Sequence, residues 1–513
     1  MTRASPLPPT IPHAARDAAA RWPDLAAVID GERTVSFARL WADSRAAASA
    51  LIARGIGAGD RVAIWAPNGY GWIVAAIGAM CCGAAIVPLN TRLKGREAGD
   101  ILRRARVRLL FTVGDFLGND YPALLADETL PALDGLVKLD TGLDAFLASG
   151  RGAGDPRVDA ALDRIGPDTL SDIPFTSGTT GAPKGVLMTH GRVLPPCAEW
   201  IANCQLRHGD RYLIANPFFH AFGTKVGWVA CLLVGATAVP MASFDVEAAV
   251  AAIERLRISF LPGPPTIFQM LLARKEERDF DGSSLRGGTT GAATVPPSLV
   301  TRIRDELGIA DIVTAYGMTE CVIITSCRPG DPALRIAQTC GTAIHGSEVR
   351  IADADGRTLG VGETGEILVR GNGVMLGYLD DPDATAAAID ADGWLHTGDV
   401  GALDADQYLR ITDRKKDMYI CGGFNVYPAE VERLLAAHPD IAQVAVIGIP
   451  DTRLGEVGKA FVVPRATAAP TAADLLAWAR ENMANYKSPR EIAFVERLPI
   501  NAAGKVVKSD LPM

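Results

Sequence analysis

Two stretches of the chain repeat one pattern at nearly the same spacing, and this repeat limits the possible folds more than any other feature. GDRVAIWAPN from Gly59 matches GDRYLIANPF from Gly209, and GAAIVPLN from Gly83 matches GATAVPMA from Gly235. The matched segments lie 24 and 26 residues apart, and in each case the first and last runs are strand-like. Strand, helix and strand in this order are typical of a parallel sheet with helices on its faces. The repeat predicts two α/β lobes, with chance similarity between two ordinary strand–helix–strand units as the alternative.

The texture of the chain changes twice beyond the second lobe. From about Glu348, short strand-like runs such as EVRIADADG and GEILVRG predict a small β-rich subdomain. A polar run from Asp413 to Asp417 then precedes a segment with one amphipathic helix and further strands. Because 513 residues exceed what one hydrophobic core serves, we expect several domains of mixed α/β and α+β class. We predict a large N-terminal domain over 1–412, a hinge over 413–417 and a smaller α+β C-terminal domain over 418–513.

Composition excludes several classes of function. The net charge is -8 and no basic block is present, which argues against a nucleic-acid partner. The nine cysteines show no metal-ligand spacing, and their odd number fits reduced thiols in the cytoplasm. The 19 uncharged residues from Gly71 to Leu89 are rich in Gly and Ala, so we expect a buried helix and strand, no transmembrane segment and a soluble protein. A homodimer is left open by the sequence.

The segment TSGTTGAPKG, from Thr176 to Gly185, has the composition of a phosphate-binding loop. Three glycines and four hydroxyl residues supply backbone N–H and O–H donors, and Lys184 adds a positive charge. It is not a Walker A loop, because Pro183 stands where that motif needs glycine. On composition alone, a surface linker is an equal alternative.

The complete string resembles the phosphate loop of the adenylate-forming superfamily, which includes acyl-CoA synthetases, adenylation domains of peptide synthetases and luciferases. The other motifs of that family follow in order along nearly the whole chain: NPFFHAFG (216–223), TGAAT (290–294), AYGMTE (315–320), DGWLHTGD (392–399), ITDRKKDMYICGGFNVYPAEVE (411–432) and NAAGKVVK (501–508). The resemblance implies ATP, Mg²⁺ and coenzyme A (CoA) as the small-molecule cofactors and partners, together with a carboxylic acid.

The resemblance also assigns roles in adenylation. Lys505 corresponds to the lysine that bridges the carboxylate and the α-phosphate, and Glu320 with Thr179 to the Mg²⁺ ligands. Tyr316 corresponds to the residue that packs on adenine, Asp399 to the ribose ligand, and Arg414 to a contact with ribose or phosphate. The remaining expected ATP and AMP contacts are Thr176, Ser177, Gly178, Thr180, Gly181, Lys184, Gly291, Ala292, Ala293, Gly317 and Thr319.

The second half-reaction of this family needs a different geometry, in which a thiol reaches the adenylate. The resemblance implies that the C-terminal domain rotates about Lys416 and carries Gly422 and Gly423 to the active site. Glycines there would let the pantetheine arm pass close to the backbone. His220 would gate the tunnel, with an ordinary core histidine as the alternative.

Among the members of the superfamily, acyl-CoA synthetase is favoured because the chain shows no carrier-domain motif. Its longest strings are similar to actinobacterial ligases that act on the fused-ring propionate left by steroid breakdown. The expected acyl pocket, with Phe219, His220, Gly223, Pro264 and Cys321, is apolar and fits a bulky steroid- or terpenoid-derived acid. Medium- or long-chain fatty or aromatic acids, and an adenylate-binding protein without turnover, remain alternatives.

Overall fold

The computed structural model of the protein describes residues 6–177, 183–291, 295, 297–353, 355–414, 419–426, 428–465, 470–499 and 508–512. The strands up to the end of the β-rich subdomain are β1 Ala26–Asp30, β2 Arg33–Ser36, β3 Arg61–Trp65, β4 Ala85–Pro88, β5 Leu109–Thr112, β6 Asp115–Phe116, β7 Asn119–Asp120, β8 Gly135–Lys138, β9 Leu170–Asp172, β10 Phe175–Ser177, β11 Pro183–Thr189, β12 Arg211–Ile214, β13 Thr237–Pro240, β14 Gly287–Thr290, β15 Asp311–Met318, β16 Cys321–Ser326, β17 Thr342–Ala343, β18 Ser347–Ala352, β19 Gly365–Gly371, β20 Gly377–Tyr378, β21 Leu395–Leu403 and β22 Leu409–Arg414.

The helices of the same part of the chain are α1 Ile11–Arg21, α2 Phe37–Ala53, α3 Tyr70–Cys81, α4 Gly95–Arg104, α5 Tyr121–Leu124, α6 Leu143–Ala148, α7 Pro156–Leu162, α8 His190–Cys204, α9 Ala221–Gly223, α10 Val229–Val234, α11 Val246–Leu256, α12 Pro265–Glu277, α13 Pro297–Asp305, α14 Ala333–Gln338 and α15 Pro382–Ala388. A short π-helix, Thr224–Trp228, joins α9 to α10.

The sequence repeat corresponds to a repeat in strand register. Strands β3 and β4 pair in parallel from Arg61 opposite Ala85, and β12 and β13 pair in parallel from Arg211 opposite Thr237. The first sheet has the order β10–β11–β9–β4–β3–β5–β8, and the second has β12–β13–β1–β2. Single bridges through Phe260 connect β12 to a further sheet of order β14–β15–β16–β17. The prediction of two related α/β lobes is confirmed.

The uncharged stretch from Gly71 to Leu89 forms a buried helix and strand, as predicted. Helix α3 packs against α2 so closely that a Cβ at Gly78 would lie 2.6 Å from the Cβ of Ala47. Glycine at this position therefore allows the two helix backbones to approach. No helix among the described residues is long and apolar enough to cross a membrane.

The predicted β-rich subdomain is an antiparallel sheet of order β18–β19–β21–β22. It packs on the lobes, since buried Ile351, Val369 and Leu395 belong to the same hydrophobic cluster as the lobe cores. Its strand β21 carries Asp399 towards the second lobe.

The smaller C-terminal domain has hydrophobic clusters of its own, which begin at Tyr419 and include Leu511. Its elements are β23 Tyr419–Cys421, β24 Phe424–Val426, α16 Pro428–Leu435, β25 Ile441–Asp451, β26 Gly455–Pro464, α17 Ala472–Asn482, β27 Glu491–Phe494 and a 3₁₀ turn at Lys508–Asp510. The sheet order is β24–β23–β26–β25, with β27 parallel to β26, and this confirms the α+β prediction.

Candidate active site

One large cavity, about 2210 Å³ in volume, lies where the lobes, the β-rich subdomain and the C-terminal domain meet. Most of the predicted site residues that the structure describes line it. Those residues are Thr176, Lys184, Phe219, His220, Pro264, Gly291, Tyr316, Gly317, Thr319, Glu320, Asp399, Gly422 and Gly423. Motifs that are far apart in the sequence therefore contribute to a single site.

Tyr316 and Asp399 form one fixed pair in this cavity. The Tyr316 hydroxyl, on β15, donates a hydrogen bond of 2.5 Å to Oδ2 of Asp399 on β21. Burial, and then the neighbouring Asp399 carboxylate, raise the pKa of Tyr316 well above its usual value. The hydroxyl therefore stays protonated as a donor, and an aromatic ring and a carboxylate are held side by side.

Two glycines, Gly291 and Gly317, form the backbone wall of the cavity beside Tyr316. A Cβ at Gly317 would lie 2.0 Å from the carbonyl oxygen of Val322, so only glycine fits this turn. A Cβ at Gly291 would lie 3.2 Å from the carbonyl oxygen of Ala315. A side chain is thus excluded at Gly317 and would fit only tightly at Gly291.

Glu320 and Lys184 lie on either side of Tyr378. The Tyr378 hydroxyl donates a 2.9 Å hydrogen bond to Oε1 of Glu320, and the Lys184 ammonium lies 4.9 Å from the centre of the Tyr378 ring. Thr176 is paired with Lys184 across β10 and β11. Within the described ranges, no group of three or more His, Cys, Asp or Glu side chains could hold a metal ion. Glu320 thus offers a single hard oxygen ligand beside a cation suited to phosphate.

The two glycines of the C-terminal domain form a tight turn at the cavity wall. Gly422 and Gly423 connect β23 to β24 with φ of 57° and 83°, a left-handed conformation that favours glycine. Phe424, the next residue, lies with its ring 6.1 Å from that of His220. The His220 side chain is exposed to the cavity, and desolvation by the protein that encloses the cavity lowers its pKa to about 4. The imidazole is therefore neutral at pH 7.

Two of the five residues predicted for the acyl pocket lie behind its wall, and this corrects the expectation for them. A Cβ at Gly223 would lie 2.2 Å from the carbonyl oxygen of Pro217, so this glycine allows close backbone packing and does not face the cavity. Cys321 is completely buried, and burial raises its pKa to about 12. The apolar residues that line the cavity in and beside these segments are Ala221, Phe222, Val226, Ile267, Met270, Val322 and Ile323.

Lys225, two residues after the NPFFHAFG motif, is buried in the same region. Nζ of Lys225 lies 2.9 Å from Oδ2 of Asp172, and both side chains are almost inaccessible to solvent. Lys225 does not line the cavity, and its charge is neutralised by Asp172. It therefore offers no cation to a second carboxylate on the substrate.

Several cations at the cavity wall had no signal in the sequence. The arginines that line it are Arg92, Arg410, Arg453 and Arg490. None of them lies within the motifs discussed above, although Arg410 directly precedes one of them. Isolated arginines are common on protein surfaces, and only the fold brings these four to one place. They are guanidinium groups of the kind that bind phosphate, in a lining that also contains carboxylates.

The structure does not test the roles of the other predicted residues, which stay predictions. Arg414 lies on β22 opposite Asp399, and Ser177 ends β10, but their side chains lie outside the described part of the structure. The following residues lie outside the described ranges altogether: Gly178, Thr179, Thr180, Gly181, Ala292, Ala293, Lys416 and Lys505.

Comparison with known proteins agrees with this geometry. Residues 15–379 match the AMP-binding enzyme family, and residues 430–505 match the AMP-binding enzyme C-terminal domain. A 3-[(3aS,4S,7aS)-7a-methyl-1,5-dioxo-octahydro-1H-inden-4-yl]propanoyl:CoA ligase of Mycobacterium tuberculosis is 52% identical over 508 residues, with 98% of each chain covered. The ligase of the same name from Rhodococcus jostii is 47% identical, again with 98% of each chain covered.

Among solved structures, a double mutant of the o-succinylbenzoate CoA synthetase of Bacillus subtilis, bound to its product analogue, matches with a TM-score of 0.85. It is 29% identical, and 98% of each chain is covered. A family match over most of the chain, close relatives over its full length and a shared two-domain fold lead to one conclusion. This chain belongs to the AMP-binding enzyme family.

Proposed function

We propose that this protein is an ATP-dependent, AMP-forming acyl-CoA ligase whose substrate is a bulky, fused-ring propionate of the steroid-derived class. The observation that carries the proposal is that one cavity contains the Tyr316–Asp399 pair, an apolar wall and the glycine turn at Gly422 and Gly423. The chain is also 52% identical to a fused-ring propanoyl:CoA ligase. ATP and CoA both carry phosphate groups, and the lysine and arginine side chains that line this cavity are suited to bind them.

The first half-reaction joins the acid to AMP. A carboxylate oxygen of the acid attacks the α-phosphorus of ATP, the bond to the β-phosphate oxygen breaks, and pyrophosphate leaves. Asp399 is suited to accept hydrogen bonds from the ribose hydroxyls, and the Tyr316 ring to pack on adenine beside the glycine wall. Lys184 and the hydroxyl of Thr176 are suited to the phosphates. Holding both anions in one orientation removes much of the entropic barrier.

Mg²⁺ fits the residues present at Glu320. Mg²⁺ is commonly held by one or two carboxylates together with substrate phosphates, and Glu320 presents its carboxylate to the cavity near Lys184. Thr179 is the second proposed ligand. The ion would neutralise phosphate charge when it is bound, while Tyr378 orients the Glu320 carboxylate by donating a hydrogen bond to it.

The second half-reaction transfers the acyl group to CoA. The CoA sulfur attacks the acyl carbonyl carbon, the bond to the AMP oxygen breaks, and the thiol proton passes to solvent. The turn at Gly422 and Gly423 lets a narrow pantetheine arm pass, and Arg92, Arg453 and Arg490 suit its phosphates. The relative of matching overall shape was solved with a CoA product analogue, which supports this use of the observed domain arrangement.

The remaining assignments complete the proposal. Lys505 would bridge the carboxylate and the α-phosphate during adenylation, and Arg414 would contact ribose or phosphate. Lys416, in the hinge at 413–417, would be the pivot between residues 1–412 and 418–513. The reaction would take place in the cytoplasm, where ATP and CoA are available.

The apolar wall favours a rigid acid over a flexible one. Burial of apolar area contributes roughly 25 cal/mol per Å² for both. A fused ring loses little conformational freedom on binding, whereas a straight chain of equal area loses more. The wall formed by Ala221, Phe222, Ile267 and Val322 therefore favours the polycyclic acid.

The proposal is tested by AMP release that depends on both ATP and CoA, measured over fused-ring propionates, terpenoid acids, aromatic acids, octanoate and palmitate. We expect kcat/KM for a fused-ring propionate to exceed that for octanoate by about 10²-fold, which corresponds to about 3 kcal/mol. Equal turnover of octanoate or palmitate would contradict the substrate class and leave the ligase activity standing. Absence of pyrophosphate exchange with every acid would indicate an adenylate-binding protein without turnover.

A further inference from the structure

A buried cluster of three charged side chains joins the C-terminal domain to the first lobe. Nζ of Lys487 donates hydrogen bonds to Oε1 of Glu97, at 2.9 Å, and to Oε1 of Glu430, at 2.7 Å. The three side chains are 5%, 9% and 3% exposed. Glu97 lies on α4 of the first lobe, whereas Lys487 and Glu430 both belong to the C-terminal domain.

Local contacts hold each partner in place before the two domains meet. The second carboxylate oxygen of Glu97, Oε2, accepts the backbone N–H of Lys94 at 2.9 Å and so stabilises the first turn of α4. The backbone N–H of Lys487 donates to the carbonyl oxygen of Ala484 at 2.9 Å. Because Glu97 is held by its own helix and the Lys487 ammonium by Glu430 in its own domain, little conformational entropy is lost when Glu97 and Lys487 pair.

The charge state of the cluster is also fixed. Burial alone would lower the pKa of Lys487, but Tyr486 and the carboxylates of Glu97 and Glu430 outweigh it and raise this pKa well above its ordinary value. Lys487 is therefore an ammonium group at any physiological pH. If this buried ammonium loses one of its two acceptors, its charge is less compensated and water cannot reach it, so the arrangement is destabilised.

The cluster is continuous with the glycine turn through aromatic and polar contacts. Tyr486, adjacent to Lys487, accepts a 3.0 Å hydrogen bond from Nδ2 of Asn90, and its ring stacks on Phe424 with 4.6 Å between centres. The guanidinium of Arg92 lies 5.1 Å from the centre of the Phe424 ring. Phe424 directly follows Gly423, so the position of the turn in the cavity is tied to the position of Lys487.

We propose that Glu97 is a positioning residue for the thioester half-reaction. It holds Lys487, and with it the C-terminal domain, in the orientation that brings Gly422 and Gly423 to the cavity. Lys487 and Glu430 lie in the same domain and stay together in any orientation. Of the three charged residues in the cluster, only Glu97 reaches it from the first lobe, so its loss should act on the orientation in which the two domains meet as seen here. This inference rests on the proposed function, because it assigns one side chain to one of the two half-reactions.

The test replaces Glu97 by glutamine and measures the two half-reactions separately. In Glu97→Gln the amide oxygen can still accept the Lys94 N–H, while the NH₂ group faces the Lys487 ammonium, so two donors oppose each other. We expect pyrophosphate exchange to remain within twofold of the unmodified enzyme. CoA-dependent consumption of preformed acyl-adenylate should slow by about 30-fold or more, since truncation of a buried, hydrogen-bonded interface ion pair is costly.

The matched control is Asp100→Asn on the same helix. Asp100 is about half exposed, pairs only loosely with Arg103 and Arg104 at 4.0 and 3.8 Å, and does not belong to the cluster. It removes the same charge from α4, and both half-reactions should stay unchanged. Glu97→Asp, which keeps the charge on a shorter side chain, should recover part of the lost rate.

Outcomes that overturn the proposal are distinct from those that overturn the function. If Glu97→Gln slows both half-reactions equally, or slows neither, Glu97 is not a positioning residue for the CoA step. If the unmodified enzyme shows no pyrophosphate exchange with any acid, the proposed function itself is wrong.

A direct measurement of orientation does not depend on turnover. Spin labels at two exposed sites, Glu254→Cys in the N-terminal domain and Glu481→Cys in the C-terminal domain, report the distance between the domains. Labelling of the chain without these substitutions gives the background from Cys340, which is partly exposed. We expect Glu97→Gln to reduce the population at the distance found for the unmodified enzyme with CoA bound. An unchanged distance distribution would overturn the proposal.

Discussion

The two domains contribute to one cavity by different physical means. In the N-terminal domain, Tyr316, Glu320 and Asp399 are attached to strands or turns whose neighbours belong to one continuous buried core. In the C-terminal domain, the contribution is a turn of two glycines, held against the first lobe by an ion-pair cluster and stacked rings. The site proposed for the nucleotide is therefore built mainly into one domain, whereas the path proposed for the thiol depends on how the two domains meet. Each half-reaction should be separately sensitive to mutation.

The largest expected effect is that of Lys505→Ala on adenylation. Lys505 lies in the NAAGK motif, outside the described residues, and its proposed role is to bridge the carboxylate and the α-phosphate. Loss of such an electrostatic stabiliser should lower the rate of pyrophosphate exchange by about 10²–10³. Consumption of preformed acyl-adenylate by CoA should persist. Lys508→Ala is the control, because Lys508 pairs with Glu432 at 2.7 Å; equal losses in the two half-reactions of Lys505→Ala would contradict the role.

Gly423→Leu should have the opposite asymmetry. A Cβ at Gly423 meets no atom within 4 Å, so a larger side chain would occupy the cavity without disturbing the C-terminal core. We expect CoA-dependent thioester formation to fall by about 10² while pyrophosphate exchange continues. Gly423→Ala carries the same backbone strain at φ of 83° without the bulk, and should retain most of the activity. Loss of adenylation before thioester formation would argue against separate sensitivity.

Glu320→Gln should weaken the binding of Mg²⁺ at its proposed site in the N-terminal domain. The amide keeps the shape of the side chain but removes the charge, so the Mg²⁺ concentration for half-maximal pyrophosphate exchange should rise about tenfold. Tyr378→Phe removes the hydrogen bond to Glu320 but keeps the ring beside Lys184 and the charge of Glu320, and it should give a smaller shift in the same direction. An unchanged Mg²⁺ titration in Glu320→Gln would show that another group binds the ion.

Ala221→Leu tests the apolar wall proposed to bind the acid. Extra bulk in a packed wall costs roughly 1–3 kcal/mol, and a rigid ring system has least freedom to adjust. We expect kcat/KM for a fused-ring propionate to fall at least about fivefold more than kcat/KM for octanoate. Ala221→Ser, with little added volume, is the control. Equal effects on the two acids would place the rings elsewhere in the cavity.

The smallest effect at neutral pH is expected from His190 in the N-terminal domain. Burial lowers the pKa of His190 to about 3, whereas in the unfolded chain this residue titrates near the ordinary histidine value of 6.5. The unfolded chain therefore binds the extra proton, and stability present at pH 7 is lost as pH falls from about 6.5 towards 3. The slope is about 1.4 kcal/mol per pH unit. Denaturant unfolding between pH 4.5 and 7 should show this slope, and His190→Gln should reduce it; an unchanged slope would mean that His190 does not titrate this way.

Much of the fold and of the nucleotide site was predictable because it depends on local sequence. The repeat of GDR strands predicted two lobes, and the paired registers from Arg61 and Arg211 confirm it. Glycines such as Gly317 lie in motifs because the backbone at these points leaves no space for a Cβ. Such requirements are written in a few adjacent residues.

The parts that were not predictable depend on where side chains point and on contacts between distant segments. Gly223 and Cys321 were expected in the acyl pocket, but close backbone packing and burial turn them away from it. The pairing of Glu97 with Lys487 joins residues 390 positions apart, and no local pattern marks either one. Ordinary lysines and glutamates acquire such roles only when the domains meet.

The hairpin formed by β15 and β16 has a consequence for how enzymes of this shape diverge. Within eight residues it carries Tyr316 at the proposed nucleotide side and Val322 and Ile323 at the proposed acyl side, and Gly317 in β15 leaves no space for a Cβ beside Val322. A mutation that reshapes the acyl face of this hairpin would also disturb nucleotide binding. Evolution towards new acids is therefore expected to proceed through the opposite wall, at Ala221, Phe222 and helix α12, which is free to vary while the energy-coupling chemistry is inherited unchanged.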